Sequence, residues 1–164
     1  MTPVLRPATA DDAARVAELF HRGWHDGHRG HVPDGLTRRR TPEAFRERVE
    51  LRIAGTDDTT VAEVDGVVAG FIMVAGDEVE QVYVDRAFRG SGVADLLLAE
   101  AERQVAGAGH PSAWLAVVVG NARARAFYAR HGWRDEGDLA YDVVALGEHF
   151  TSPCRRYVKD VAPG

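Results

Sequence analysis

Apolar and polar positions along the chain follow two periods, and the change between them divides it into elements. Val4 to Pro7 makes a short opening strand, and Thr9-x-x-Asp12 is a helix-capping pattern. Ala13, Val16, Ala17, Phe20 and Trp24 then recur at helical spacing, which predicts a first helix running to about His25. Residues 26–40 are polar, hold Gly27, Gly30, Pro33 and Gly35, and read as a loop. Thr41-Pro42-Glu43 opens a second helix, with Phe45, Val49 and Ile53 on its inner face and Gly55 at its end. From Thr59 the period becomes that of strands. Residues 59–64 and 67–74 flank Asp65-Gly66, a hairpin turn, and Gly76-Asp77 leads into a third antiparallel strand over 79–84.

That strand runs into Asp85-Arg-Ala-Phe-Arg89-Gly90-Ser91-Gly92-Val93-Ala94, after which residues 95–105 have helix composition. Strand, glycine turn and helix in this order aim backbone N–H groups and the positive end of a helix dipole at one spot, which suits a phosphate. Gly90 and Gly92 admit the left-handed conformation, and Arg89 would set a guanidinium beside the anion. A turn of this kind also serves geometry alone. Two other phosphate motifs fail on content. The Walker loop requires Gly-Lys-Ser/Thr, and the chain's only lysine is Lys159; the dinucleotide fingerprint wants a small residue three positions after Gly92, where Asp95 stands. Further on, residues 113–119 read as a buried strand and Asn121 opens a helix that ends at Gly132. Residues 139–146 and 155–161 form a closing hairpin around a loop at 147–153.

Arg89-x-x-Gly92-x-Ala94 resembles the Arg/Gln-x-x-Gly-x-Gly/Ala signature of the GCN5-related N-acetyltransferases (GNAT superfamily), whose members bind the pyrophosphate of acetyl-coenzyme A (acetyl-CoA) there. A second block, Asn121…Phe127-Tyr128…Gly132-Trp133, is similar to the family's Asn…Phe-Tyr…Gly-Phe segment. The resemblance implies a single domain over residues 1–164 with an α/β (α+β) fold. Its mixed, mostly antiparallel central sheet would splay after the fourth strand and be flanked by about four helices. It implies that backbone N–H groups of Arg89, Gly90, Ser91, Gly92, Val93 and Ala94 hold the pyrophosphate. Val82 and Val84 would lie along the pantetheine arm, with the Val84 N–H facing the thioester carbonyl, and Asn121 would touch the arm. Tyr128 would protonate the departing thiolate. Each residue also has a plainer role: Arg89 as a surface charge, Asn121 as a helix cap, Tyr128 as a helix aromatic beside Phe127. Glu78 and Glu80, at even spacing, would share the face of Val82 and Val84, and Glu80, nearer the acetyl position, is the expected base. Trp24 and His25 would line the amine pocket with the loop after them. Tyr141, Phe150 and Tyr157 would close its other side.

Composition narrows the function further. A chain of 164 residues with 45% hydrophobic and 27% charged content suits one soluble domain with a sizeable core. No apolar run reaches membrane-spanning length, so no membrane partner is expected. Cys154 stands alone, excluding an intrachain disulfide, and a cytoplasmic location is expected. A net charge of −5 opposes a nucleic-acid partner and mildly favours a cationic acceptor. His21 and His25 share a helix face, but no cysteine or carboxylate motif completes a ligand set, so no metal is expected. A homodimer stays open. The expectation is direct acetyl transfer from acetyl-CoA to a primary amine, of a small molecule or, as the alternative acceptor within the same activity, of a peptide or protein. Two alternatives stand beside it: a non-catalytic CoA-binding module, and an enzyme acetylating aminoacyl-tRNA, which the acidic balance opposes.

Overall fold

The computed structural model describes residues 2–162. A seven-stranded sheet in the order β1-β2-β3-β4-β5-β7-β6 forms the centre. The strands are β1 (Val4–Pro7), β2 (Thr59–Val64), β3 (Val67–Ala75), β4 (Glu78–Val84), β5 (Ser112–Val118), β6 (Arg134–Ala145) and β7 (Glu148–Asp160). Among the described residues five α-helices flank it: α1 (Ala13–His28), α2 (Asp34–Arg39), α3 (Pro42–Gly55), α4 (Val93–Gly107) and α5 (Ala122–Arg130). Every pairing is antiparallel except that of β4 with β5, which touch in parallel register only at Glu78 and Trp114. Beyond that contact the sheet splays, as expected.

One core lies on each face. On one, Phe20 of α1, Phe45 and Val49 of α3, and Phe71 of β3 are fully buried, with the Phe20 and Phe45 rings 4.6 Å apart. On the other, Leu97 and Leu98 of α4 pack against Ile72 and Val79. Burying such side chains contributes roughly 1.5–3 kcal/mol each, so two faces of this kind hold a sheet that is open along one seam.

Three local expectations need correction. Residues 34–39, read as loop, form α2. The Phe150 ring lies against Gly35, and Arg39 pairs with Glu148, so the β6–β7 hairpin supplies the contacts a six-residue helix lacks by itself. The expected loop at 147–153 is mostly strand. Leu146 (φ 51°) and Gly147 (φ 78°) make a tight turn of the kind also seen at Asp65-Gly66, and Pro153 pairs with Ala140 inside the ladder. The third concerns β4. Its register passes from Met73–Gln81 to Val74–Val79, which makes Glu80 the extra residue of a β-bulge. The bulge breaks the two-residue alternation, so Glu80 does not share the face of Val82 and Val84. Those two pack towards α4, whereas Glu80 reaches Arg52 on α3.

Candidate active site

Two cavities meet where β4 leaves β5. The larger, about 920 Å³, is walled by the end of β4, the glycine turn, the start of α5 and one side of α1. Gly23 and Gly27, one turn apart on α1, let that helix approach closely. A Cβ on Gly23 would stand 2.2 Å from the Tyr83 ring, and one on Gly27 2.5 Å from Asn121 Nδ2.

The glycine turn begins at Asp85, whose Oδ1 accepts from Ala87 N–H at 3.0 Å while its other oxygen pairs with Arg15. Both contacts hold this carboxyl below its ordinary range, the backbone bond first. Gly90 (φ 77°) and Gly92 (φ 89°) are left-handed, with open space where a side chain would begin. Their requirement is therefore conformational, and a non-glycine residue there costs roughly 1–2 kcal/mol. Arg89 N–H donates to Arg86 O and Ser91 N–H to Phe88 O, and the Ser91 hydroxyl donates to the same Phe88 carbonyl. These donors are committed to the turn. The N–H groups of Gly90, Gly92, Val93, Ala94 and Asp95 have no such partner among the described residues, and Leu96 makes the first α4 bond back to Gly92 O. Ala94 and Asp95 line the cleft with Gly90 and Gly92.

Cations crowd the same cleft. Arg86, Arg89, Arg123 and Arg130 all line it. Arg86 pairs with Asp26 at 2.9 Å, while Arg89 lies 3.9 Å from the same carboxylate. Burial, then Arg123 and Arg86, push the Arg89 guanidinium below its ordinary value, as expected where like charges outnumber their partners. Arg123 and Arg130 were not singled out in the sequence, since on a helix they read as solvated charge.

Along β4, Asp85 N–H donates to Ala69 O on β3 at 2.8 Å. The alternation of an antiparallel ladder turns Tyr83 the same way and the main-chain groups of Val82 and Val84 the other way, towards β5. Because β5 has already diverged, those groups face the opening. Asn121 Oδ1 caps α5 by accepting from Ala124 N–H at 3.2 Å, leaving its amide nitrogen beside α1.

The smaller cavity, about 150 Å³, lies on the α1–α3 side. It shares Val82, Tyr83, Asn121, Ala124 and Tyr128 with the cleft. Tyr128 is 9% exposed and sits at the junction; burial above all, then Tyr83, raises its hydroxyl well above the ordinary tyrosine value. Trp24 and Tyr141 line the chamber. His25 does not, since its Nε2 bonds the Arg40 carbonyl at 2.6 Å, and His28 stands on the wall instead, its ring stacked on Trp24 at 4.5 Å. Burial pushes His28 down to about 4, so it is neutral. Phe150 packs on α2, and Tyr157 turns to α5, where its hydroxyl accepts from Arg125.

The two β4 carboxylates have different surroundings. Arg52, itself paired with Asp58, grips Glu80 at 2.9 Å. Glu78 accepts from the Tyr141 hydroxyl at 2.6 Å, and burial raises its carboxyl above the usual range despite that bond, with Glu80 and Asp77 adding to the rise. Cys154, 4% exposed on the same wall, is pushed up to about 11 by burial and remains a thiol. Among the described residues no group of three or more His, Cys, Asp or Glu is placed to hold a metal ion, and no helix is long and apolar enough to cross a membrane.

Comparison with known proteins adds an outside measure. The model of the acetyltransferase (GNAT) family matches residues 16–133. No curated protein matches the chain. Among solved structures, a GCN5-related N-acetyltransferase from Rhodopseudomonas palustris superposes with a TM-score of 0.78 at 22% identity, over 98% of this chain and 96% of that one. PaiA N-acetyltransferase from Thermoplasma acidophilum, solved in complex with coenzyme A, gives 0.66 at 18% identity over 98% and 99%. YncA from Salmonella typhimurium, solved with its cofactor acetyl-CoA, gives 0.70 at 18% identity over 100% and 96%. At these identities the likeness is one of fold.

Proposed function

Because the chain belongs to the acetyltransferase (GNAT) family through residues 16–133, we propose that it is a single-domain N-acetyltransferase passing the acetyl group of acetyl-CoA directly to the primary amine of a small molecule. The observation that carries this reading is the meeting of the two cavities at Val82 and Tyr128, one rich in anion donors and the other small and walled. Acetyl-CoA supplies a thioester activated towards amines. The unpaired N–H groups of Gly90, Gly92, Val93 and Ala94 hold its diphosphate, aided by Arg89 and Arg123. The main chain of Val82 and Val84 pairs with the pantetheine arm, and Asn121 borders it. A Val84 N–H facing the carbonyl stabilises the charge that develops on its oxygen.

The acceptor must lose a proton, since an alkyl amine has a pKa of about 10. Glu78 and Glu80 both line the smaller chamber. The sequence favoured Glu80, but Arg52 competes for that carboxylate, whereas burial has already made Glu78 a stronger base. We therefore assign proton acceptance to Glu78, with Glu80 positioning Arg52. As the nitrogen bonds to the acetyl carbon, the C–S bond breaks and Tyr128 gives its proton to the leaving sulfur. Cys154, held as a thiol, is a poor nucleophile, which supports direct transfer over an acyl-enzyme on this sulfur.

The test is release of free CoA thiol from acetyl-CoA over a panel of amines, amino acids and peptides. Turnover on one class of small amine is the expected result. Tight CoA binding with no turnover on any acceptor would instead mark a binding module, and preference for peptide N-termini would move the acceptor to proteins.

A further inference from the structure

The smaller chamber contains two arginines that acetyl transfer does not use. Arg40 and Arg48 both line it, and neither guanidinium has an ion-pair or hydrogen-bond partner among the described residues. Arg40 is the sharper case. It is 8% exposed, and its Nε is fully buried with no acceptor. Its guanidinium carbon lies 5.6 Å from the Trp24 ring and 5.8 Å from that of Phe45, while that of Arg48 lies 5.0 Å from the Phe20 ring. Aromatic rings satisfy the face of a guanidinium but not the N–H groups along its edge. The nearby carboxylates are engaged, Glu80 by Arg52 and Glu78 by Tyr141, and His28 is neutral. Burial, and then the charge of Arg48, lower Arg40 to about 10, which leaves it protonated at neutral pH.

A buried cation without a partner is destabilising, and an anion brought by a ligand would compensate it. Edge donors of a guanidinium match the two oxygens of a carboxylate. We propose that Arg40 and Arg48 form a carboxylate seat in the acceptor chamber, so that the acceptor is a small free amino acid. Its carboxylate lies against the α2–α3 side and its amine faces Glu78 and Tyr128. The identity of the acceptor rests on the transferase reading; the anion seat does not. The seat also reverses the inference from net charge. The balance of −5 is set by the whole surface, whereas the ligand's carboxylate meets the two guanidinium groups.

The experiment uses the full chain and three matched probes: free L-amino acids, their carboxamides and the corresponding decarboxylated amines. Calorimetry without cofactor and thiol release with acetyl-CoA are read side by side. The expected result is one or a few amino acids favoured at least about 100-fold over their carboxamides in both measurements. Arg40→Met and Arg48→Met should each weaken amino-acid binding more than about tenfold and leave CoA affinity unchanged. Arg40→Met should also melt at a higher temperature than the parent, because an uncompensated charge has left the interior. Equal use of acid and amide, preference for a polyamine, or no amino-acid binding at all would overturn the seat. So would an Arg40→Met protein that melts lower yet binds amino acids as before. Amino-acid binding with no thiol release would sink the transferase reading and leave the seat standing; thiol release on polyamines alone would do the reverse.

Discussion

The two halves of the site are made of different material. On the proposed reading the cofactor side is mostly main chain, built of left-handed glycines, a helix start and a strand edge freed by the splay, with arginines beside it. The proposed acceptor side is side chain, gathered from α1, α2 and its end, α3, β4, β5, α5, β6 and β7. Main-chain donors persist whatever residue bears them, provided the backbone keeps its shape. Side-chain donors vanish with a single substitution. The first half is thus vulnerable to changes of conformation and the second to changes of chemistry.

That contrast can be broken by measurement. The largest effect should come from Glu78→Gln, which lowers kcat by about 10³-fold with CoA affinity intact, within the range for a lost general base. Glu80→Gln should cost far less, and the reverse order would restore Glu80 as the base. Since Glu78 acts only when ionised and burial raises its carboxyl, kcat/KM should fall as the pH drops through an apparent pKa above the ~4.3 of free glutamate, and hold steady above it. Next comes Gly92→Val, which should weaken CoA binding about 100-fold by calorimetry while circular dichroism stays native, because the space is open and only the backbone is strained. Arg89→Ala, removing a side chain from that same turn, should cost only about threefold to tenfold; a larger loss would mean that the guanidinium, not the main chain, holds the anion. Tyr128→Phe should lower kcat about tenfold with CoA binding retained, thiolates being good leaving groups. Smallest is Thr41→Ala. It removes the cap whose Oγ1 accepts from Ala44 N–H and should cost ~1 kcal/mol of stability with the kinetics unmoved.

The same contrast explains what could be read in advance. Arg89-x-x-Gly92-x-Ala94 and the Asp65-Gly66 hairpin were legible because their physics is local: a left-handed backbone needs glycine wherever it occurs. The bulge was not, because an extra residue in β4 alters neither composition nor hydrophobicity and only the register with β3 reveals it. Helix α2 escaped because Phe150 and Glu148, more than a hundred positions on, hold it in place. Arg48 left a faint trace. It follows Phe45 by three positions and precedes Arg52 by four, so a helix face assigned to the core carried two arginines. Cations on a core face ask for a partner, and that question was open to the sequence before any fold was known.

The lone sulfhydryl has a practical consequence. Cys154 is almost wholly covered and resists ionising, and thiol-specific dyes react with the ionised form. A colorimetric reading of liberated coenzyme therefore carries almost no background from the polypeptide itself, and slow substrates can be followed at high protein concentration without mutating the chain.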